Sequence, residues 1–180
     1  MITVHDIEQG TPEWLELRAG KYTGSNAHKL LRFGAIEYSR TEQGSFGGNF
    51  YTRRGHVLED EALALYERIY KTQVDRPGFI TNSEYPTCGY SPDGLDGLIL
   101  LECKAFNPAK HMKIIKEGPP FEIEAQIHFG LTLTELKQAR LILYNPDLEP
   151  KYALHIVEIK ANRNIKNNFR RYILPQPVGI

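Results

Sequence analysis

The chain has 180 residues, 41% of them hydrophobic, which is enough to bury one sizeable core and points to a single domain over residues 1–180. Its 22 Lys and Arg balance 22 Asp and Glu, which excludes a molecule-wide basic field for nucleic acid and confines any anion site to a local patch. Two cysteines without CxxC spacing, Cys88 and Cys103, exclude a zinc ribbon or a four-cysteine iron–sulfur cluster, and no run approaches the roughly 18 apolar residues of a membrane span. The polar start of the chain has no apolar leader core, so a cytoplasmic protein is expected.

Thr11-Pro12-Glu13 reads as an N-cap with proline at the first helical position, opening a short helix that carries Trp14, Leu15 and Arg18. Thr23-Gly24-Ser25 caps a second helix over 26–32, and the polar, glycine-containing stretch that follows to about Asn49 is expected to form an exposed arch. Leu58, Ala62, Leu65 and Ile69 recur at helical spacing within 51–70, with Glu59 flanking the stripe in register with Ala62, Tyr66 and Ile69. Segments 78–81, 87–90, 98–105, 139–144 and 152–159 are short and rich in strand formers, and are expected to build one mixed sheet. Helices over 109–116, 121–135 and 162–172 complete an α/β class, a central mixed β-sheet flanked by helices.

Strand periodicity places Leu98, Leu100, Glu102 and Lys104 on one face, and Ile99, Leu101, Cys103 and Ala105 on the other. A charged pair at the end of a covered strand is costly to desolvate unless a partner or a metal compensates it. Asp93, in the turn before the strand, is the candidate partner, because folding back would bring its carboxylate beside that of Glu102. Two such carboxylates repel without a cation between them, and Mg²⁺ or Mn²⁺ suits oxygen donors of this kind. Taken singly, a Ser-Pro-Asp-Gly turn, a Glu-x-Lys on a strand and a Glu in an early helical turn each have ordinary structural explanations. Their coincidence in one short chain does not.

Pro92-Asp93, eight intervening residues and Glu102-Cys103-Lys104 resemble the signature of the PD-(D/E)XK nuclease superfamily. The whole chain resembles the phage lambda-type exonucleases of the YqaJ viral recombinase family through TPEWLELRAGKYTGS, RGHVLEDEA, SPDGL, LECK and EAQIHFGL, which occur in the family's order. The resemblance implies a Mg²⁺ ion, with Mn²⁺ as a substitute, held by Asp93, Glu102 and the main-chain carbonyl of Cys103, and Glu59 helping to bind a second ion or order its waters. It implies that Lys104 orients or deprotonates the attacking water or stabilises the phosphate, with Gln126 beside it. Arg18, Ser25 and Ser91 match the positions that grip a 5′-phosphate in the family, while Arg32, Arg40, Arg53 and Arg54 compete for the family's arch arginine.

The implied activity is 5′-to-3′ exonuclease degradation of one strand of linear duplex DNA, leaving 3′ single-strand overhangs for phage-type recombination in a bacterial host. A ring-shaped homotrimer and a single-strand annealing partner belong to the same implication. Two alternatives remain at this point: an endonuclease on the same fold, restriction-like or structure-specific, and a catalytically inactive DNA-binding module. The basic residues Lys160, Arg163, Lys166, Arg170 and Arg171 read as a solvated helix face or as phosphate contacts.

Overall fold

A computed structural model describes residues 1–33 and 50–174. Along the chain run β1 (Ile2–His5), α1 (Pro12–Arg18), a 3₁₀ turn (Gly24–Asn26), α2 (Ala27–Phe33), α3 (Phe50–Tyr70), β2 (Phe79–Asn82), β3 (Gly94–Asp96) and β4 (Ile99–Lys104). There follow α4 (Pro108–Glu117), α5 (Phe121–Thr134), β5 (Gln138–Tyr144), α6 (Pro150–Ala153), β6 (Leu154–Lys160) and α7 (Arg163–Ile173). The expected arch with its Gly44–Gly48 patch, Arg40 and the proline-containing tail beyond Leu174 lie outside the described residues, as do the side chains of Arg53, Arg54 and His56. Among the described residues no helix is long and apolar enough to cross a membrane.

The main sheet has the strand order β3-β4-β5-β6. β3 and β4 form an antiparallel hairpin, β4 and β5 run parallel, and β6 returns antiparallel to β5. The parallel step requires a crossover, and α4 and α5 supply it. Leu100, Leu141 and Leu143 pack from the sheet into a core shared with Leu30, Ile127, Phe129 and Phe169 of α2, α5 and α7. The opposite face sends Leu101, Cys103 and Ile142 against Ala62, Leu63 and Tyr66 of α3. The two-residue alternation expected along β4 therefore separates two different covers.

The single five-stranded sheet expected from the sequence divides in two. Residues 79–82 pair antiparallel with β1, and these two strands form a separate ribbon rather than joining the main sheet. Within 87–90 only isolated bridges occur, Tyr22 to Cys88 and Ile80 to Tyr90. Pro86 and Pro92 flank that segment and have no N–H to extend a ladder. β1 escaped the sequence reading because Ile2 and Val4 are exposed, so an edge strand held by its backbone leaves no alternating buried pattern.

α1 and α4 start where proline allows, with Thr11 and Asn107 accepting from the backbone of Trp14 and Lys110. α5 is buried nearly all round, as expected for a helix with Ile123, Ile127, Phe129, Leu131 and Leu133 distributed over its faces. The stripe on α3 is displaced from its expected line. Ile69 is 58% exposed, whereas Leu63 and Tyr66 are buried. The cause is a polar anchor: the Tyr66 hydroxyl donates to Asp96 Oδ2 at 2.6 Å, accepts from Arg140, and its ring stacks on Tyr70. Arg140 also lies 4.1 Å over the Tyr70 ring, and Thr72 donates to Asp96 Oδ1 at 2.7 Å. This rotates the helix so that Tyr66, one stripe position after Leu63, faces the sheet.

Leu63→Ala is expected to lose about 2–5 kcal/mol of stability in urea unfolding, as a buried leucine truncation does. Ile69→Ala should stay within about 0.5 kcal/mol. A comparable loss at Ile69 would restore the stripe read from periodicity alone.

Candidate active site

The β3–β4 hairpin brings the two acidic positions together. Its tip is Gly97-Leu98, where Gly97 takes φ +57°, a value that side chains disfavour. The register runs Asp96 to Ile99, Leu95 to Leu100 and Gly94 to Leu101, and Asp93, just before the paired residues, reaches the Cys103 N–H beside Glu102. Nine residues of separation thus become lateral adjacency. Gly94 lets the strand lie against Val74, since a Cβ there would stand 2.4 Å from Val74 Cγ1.

Asp93 turns Oδ2 to the Cys103 N–H at 2.6 Å. Glu102, 1% exposed, is surrounded by donors: Lys104 Nζ reaches its Oε1 at 2.5 Å, Gln126 Nε2 donates to the same oxygen, and the Tyr90 hydroxyl donates to Oε2 at 2.6 Å. Burial, and next the Glu102 charge, push the Asp93 carboxyl well above the usual carboxylate range, with Lys104 acting in the opposite sense. For Lys104, burial acts to lower the ammonium, but Glu102 and then Asp93 outweigh it and the net shift is upward. Burial and the same carboxylates raise the Cys103 thiol, so it is a neutral packing group between two charged neighbours. Half-buried Glu59 approaches from α3, and its charge adds to those acting on Asp93, Cys103 and Lys104.

The remaining expected residues form a second group. Trp14 of α1 donates Nε1–H to both Gly78 O at 3.1 Å and Ser91 Oγ at 3.0 Å, while Arg18 lies with its guanidinium 4.2 Å over the Trp14 ring. Arg18 and Ser91 are therefore joined through Trp14, and burial lowers the Arg18 pKa. The Ser25 hydroxyl lies 3.3 Å from Thr23 Oγ1, at the start of the 3₁₀ turn. Its neighbour Gly24 packs against both Tyr90 and Gln126, which ties that turn to the Glu102 side of the site. Arg32 is paired with Glu122 at 2.9 Å.

Sequence reasoning missed Tyr90 and Trp14. Nothing in the periodicity distinguishes a tyrosine that donates to a carboxylate from one that fills a core, but Tyr90 and Ser91 immediately precede Pro92-Asp93, so their neighbourhood was accessible. Among the basic residues near the chain end, Arg170 is engaged with Glu84 at 2.5 Å and the Tyr85 hydroxyl at 2.8 Å, which makes it a clamp between α7 and the segment after β2.

Donor chemistry favours a hard divalent cation: two oxygen-only carboxylates, brought together and repelling, with a third from α3 nearby. Among the described residues, however, no three His, Cys, Asp or Glu side chains are gathered into one coordination sphere. Asp93 accepts from Cys103 N–H on one oxygen, and both oxygens of Glu102 accept, from Tyr90 and from Lys104 and Gln126. The residues present fit an ion by type and charge.

Comparison with known proteins follows the same lines. A model of the YqaJ-like viral recombinase domain matches residues 13–137. Comparison with curated proteins returned no match. Among solved structures, the chain is similar to the alkaline exonuclease LHK-Exo from Laribacter hongkongensis, with a TM-score of 0.75, 24% identity and 90% of each chain covered. A second structure of LHK-Exo, in complex with dAMP, gives a TM-score of 0.79 at 24% identity, covering 91% of this chain and 89% of that one. A phage-related exonuclease from Haemophilus somnus 129PT aligns at a TM-score of 0.51 and 16% identity, over 93% and 85% of the two chains. These likenesses establish a shared fold, the PD-(D/E)XK core with its mixed sheet between helices.

Asp93→Asn removes a buried like charge while keeping an acceptor for Cys103 N–H. An acid raised in the folded state binds more protons there than in the unfolded chain, so stability falls as pH rises from the unfolded carboxyl range of about 4 toward the folded value. In EDTA at neutral pH the variant is expected to melt about 2–4 °C higher than the parent and to lose part of that pH slope, by thermal unfolding between pH 5 and 8. An unchanged melting point would refute the repulsion.

Proposed function

Because the chain belongs to the YqaJ-like viral recombinase family, we propose that it is a divalent-metal-dependent deoxyribonuclease, a 5′-to-3′ exonuclease that degrades one strand of linear duplex DNA from a 5′-phosphorylated end. The observation that carries this reading is the convergence of Asp93, Glu102, Lys104 and Gln126 at the end of β4. Its structural relatives are exonucleases, one of them with dAMP bound, which agrees with this reading.

Asp93, Glu102 and the Cys103 carbonyl are the residues that would hold Mg²⁺ or Mn²⁺, with Glu59 placed toward a second ion. Such an ion supplies an acidified water and offsets charge on the scissile phosphate. Gln126 and Lys104 both donate to one oxygen of the Glu102 carboxylate, and the Lys104 ammonium offsets part of its charge. Lys104, as an ammonium at the rim of the site, adds positive charge where phosphate charge develops. Arg18 and Ser91, set against each other by Trp14, would bind the terminal phosphate, with Ser25 at the 3₁₀ turn completing the anion site. A phosphate anchor beside a metal site favours cleavage at an end over cleavage within a strand. A homotrimeric ring would concentrate local basic groups around the duplex in a chain with no net charge, and a single-strand annealing protein would receive the 3′ overhang.

Purified protein with Mg²⁺ is expected to release nucleotides from linear duplex carrying a 5′-phosphate, from the 5′ end only, and to leave closed circles intact. Lys104→Ala should lower turnover by about 100-fold or more. Arg18→Ala should erase the preference for phosphorylated over unphosphorylated ends. Nicked circles would make the protein an endonuclease, and DNA binding without cleavage in any divalent metal would leave a binding module.

A further inference from the structure

Tyr90 bonds to Glu102 in one group of side chains and directly precedes Ser91 of the other. It is 1% exposed, its backbone N–H and carbonyl pair with Ile80 at 2.9 and 2.7 Å, and its hydroxyl donates to Glu102 Oε2 at 2.6 Å. The ring fills a slot cut by two glycines from different helical segments. A Cβ on Gly24 would stand 2.5 Å from Tyr90 Cε2, and one on Gly130 would stand 2.6 Å from its Cζ. Neither glycine has a positive φ, so space for this ring is what requires them.

Lys104 and Gln126 both grip Oε1 of Glu102. Two donors on one oxygen leave the carboxylate able to pivot about it, because the terminal torsion of a glutamate has no sharp minimum of its own. A hydrogen bond to the other oxygen removes that freedom, and Tyr90 supplies it from a ring that cannot move. We propose that Tyr90 is a positioning residue, which fixes the rotation of the Glu102 carboxylate and thereby the affinity of the site for a divalent cation. Gly24 and Gly130 act through it, by holding the ring at the distance that the hydroxyl needs. Ser25 follows Gly24 and Ser91 follows Tyr90, so the same slot sets the spacing between the anion residues and Glu102. The inference rests on the proposed function in taking Glu102 as a ligand to the ion.

Tyr90→Phe keeps the ring and deletes only the donor. Mn²⁺ binding to the full chain without DNA, by titration calorimetry, is read beside thermal unfolding in EDTA and the Mn²⁺ concentration that half-activates cleavage. The variant is expected to bind Mn²⁺ about 10-fold more weakly or worse, with the activation midpoint moving by the same factor, as loss of a partner behind a ligand does. A purely structural tyrosine would lower the melting temperature and leave the Mn²⁺ affinity where it was. Gly24→Ala, which displaces the ring and keeps the hydroxyl, provides a second variant, expected to weaken Mn²⁺ in the same direction. Unchanged affinity in either folded variant, with a parent protein that binds Mn²⁺ and cuts DNA, overturns the role of Tyr90 and leaves the nuclease reading intact. A parent that binds Mn²⁺ without cutting DNA overturns the nuclease reading, and the ratio of affinities still decides for or against Tyr90. A parent that does not bind Mn²⁺ overturns both.

Discussion

Two carboxylates brought together by a β-hairpin, Glu102 buried and Asp93 half-buried, are the constraint on which the rest of this molecule depends. Asp93 immediately precedes β3 and Glu102 lies within β4, and the hairpin whose tip is at Gly97 brings them together. Like charges at this range cost free energy that water would otherwise relieve. The fold offsets it with donors, a backbone N–H for Asp93 and three side chains for Glu102. Such an arrangement relieves the repulsion in part, and perturbed carboxylates of this kind cluster at functional sites.

Gln126 and the third carboxylate, Glu59, come from distant parts of the chain, and each is delivered by a packed element. Gln126 sits on α5, the helix buried on nearly every side, so its position is as rigid as the core itself. Glu59 comes from the other face of the sheet on α3, whose rotation is locked farther along by Tyr66 against Asp96 and Arg140. Asp96 closes the hairpin that Asp93 opens, so one short strand contributes a carboxylate to the site at its start and to the helix anchor at its end. Burial first, and then the bond to Asp96, raise the Tyr66 pKa, which keeps that hydroxyl a neutral donor at any physiological pH.

The group of side chains around Trp14 uses different physics. Trp14 has one N–H and offers it to both a carbonyl and the Ser91 hydroxyl, while its face carries Arg18. An aromatic platform holds a guanidinium in place without neutralising it, unlike a carboxylate partner, so the charge stays available to a phosphate. Arg32 and Arg170, by contrast, are paired with Glu122 and Glu84, and an arginine spent on a carboxylate is a structural clamp.

How much of this was legible beforehand follows from what each signal depends on. Local chemistry carried through: the proline-started α1 and α4, the alternation along β4 that separates Leu100 and Glu102 from Leu101 and Cys103, and the Asp-x₈-Glu-x-Lys spacing all depend on residues close in sequence. The family resemblance drew on the same local blocks, and residues 13–137 carry it. What failed depended on distant partners. Ile69 lost its place in the core because Tyr66 found Asp96 and Arg140, β2 left the main sheet because β1 was there to pair with it, and 87–90 shrank to bridges between prolines. The sequence by itself determined the class of fold, the acidic hairpin and the candidate residues, since spacing and turn chemistry are written along the chain. Only the tertiary structure decided that Tyr90 would complete the grip on Glu102, that Trp14 would join Arg18 to Ser91, and that Gly24 and Gly130 would make room, because each depends on three or more segments meeting in space.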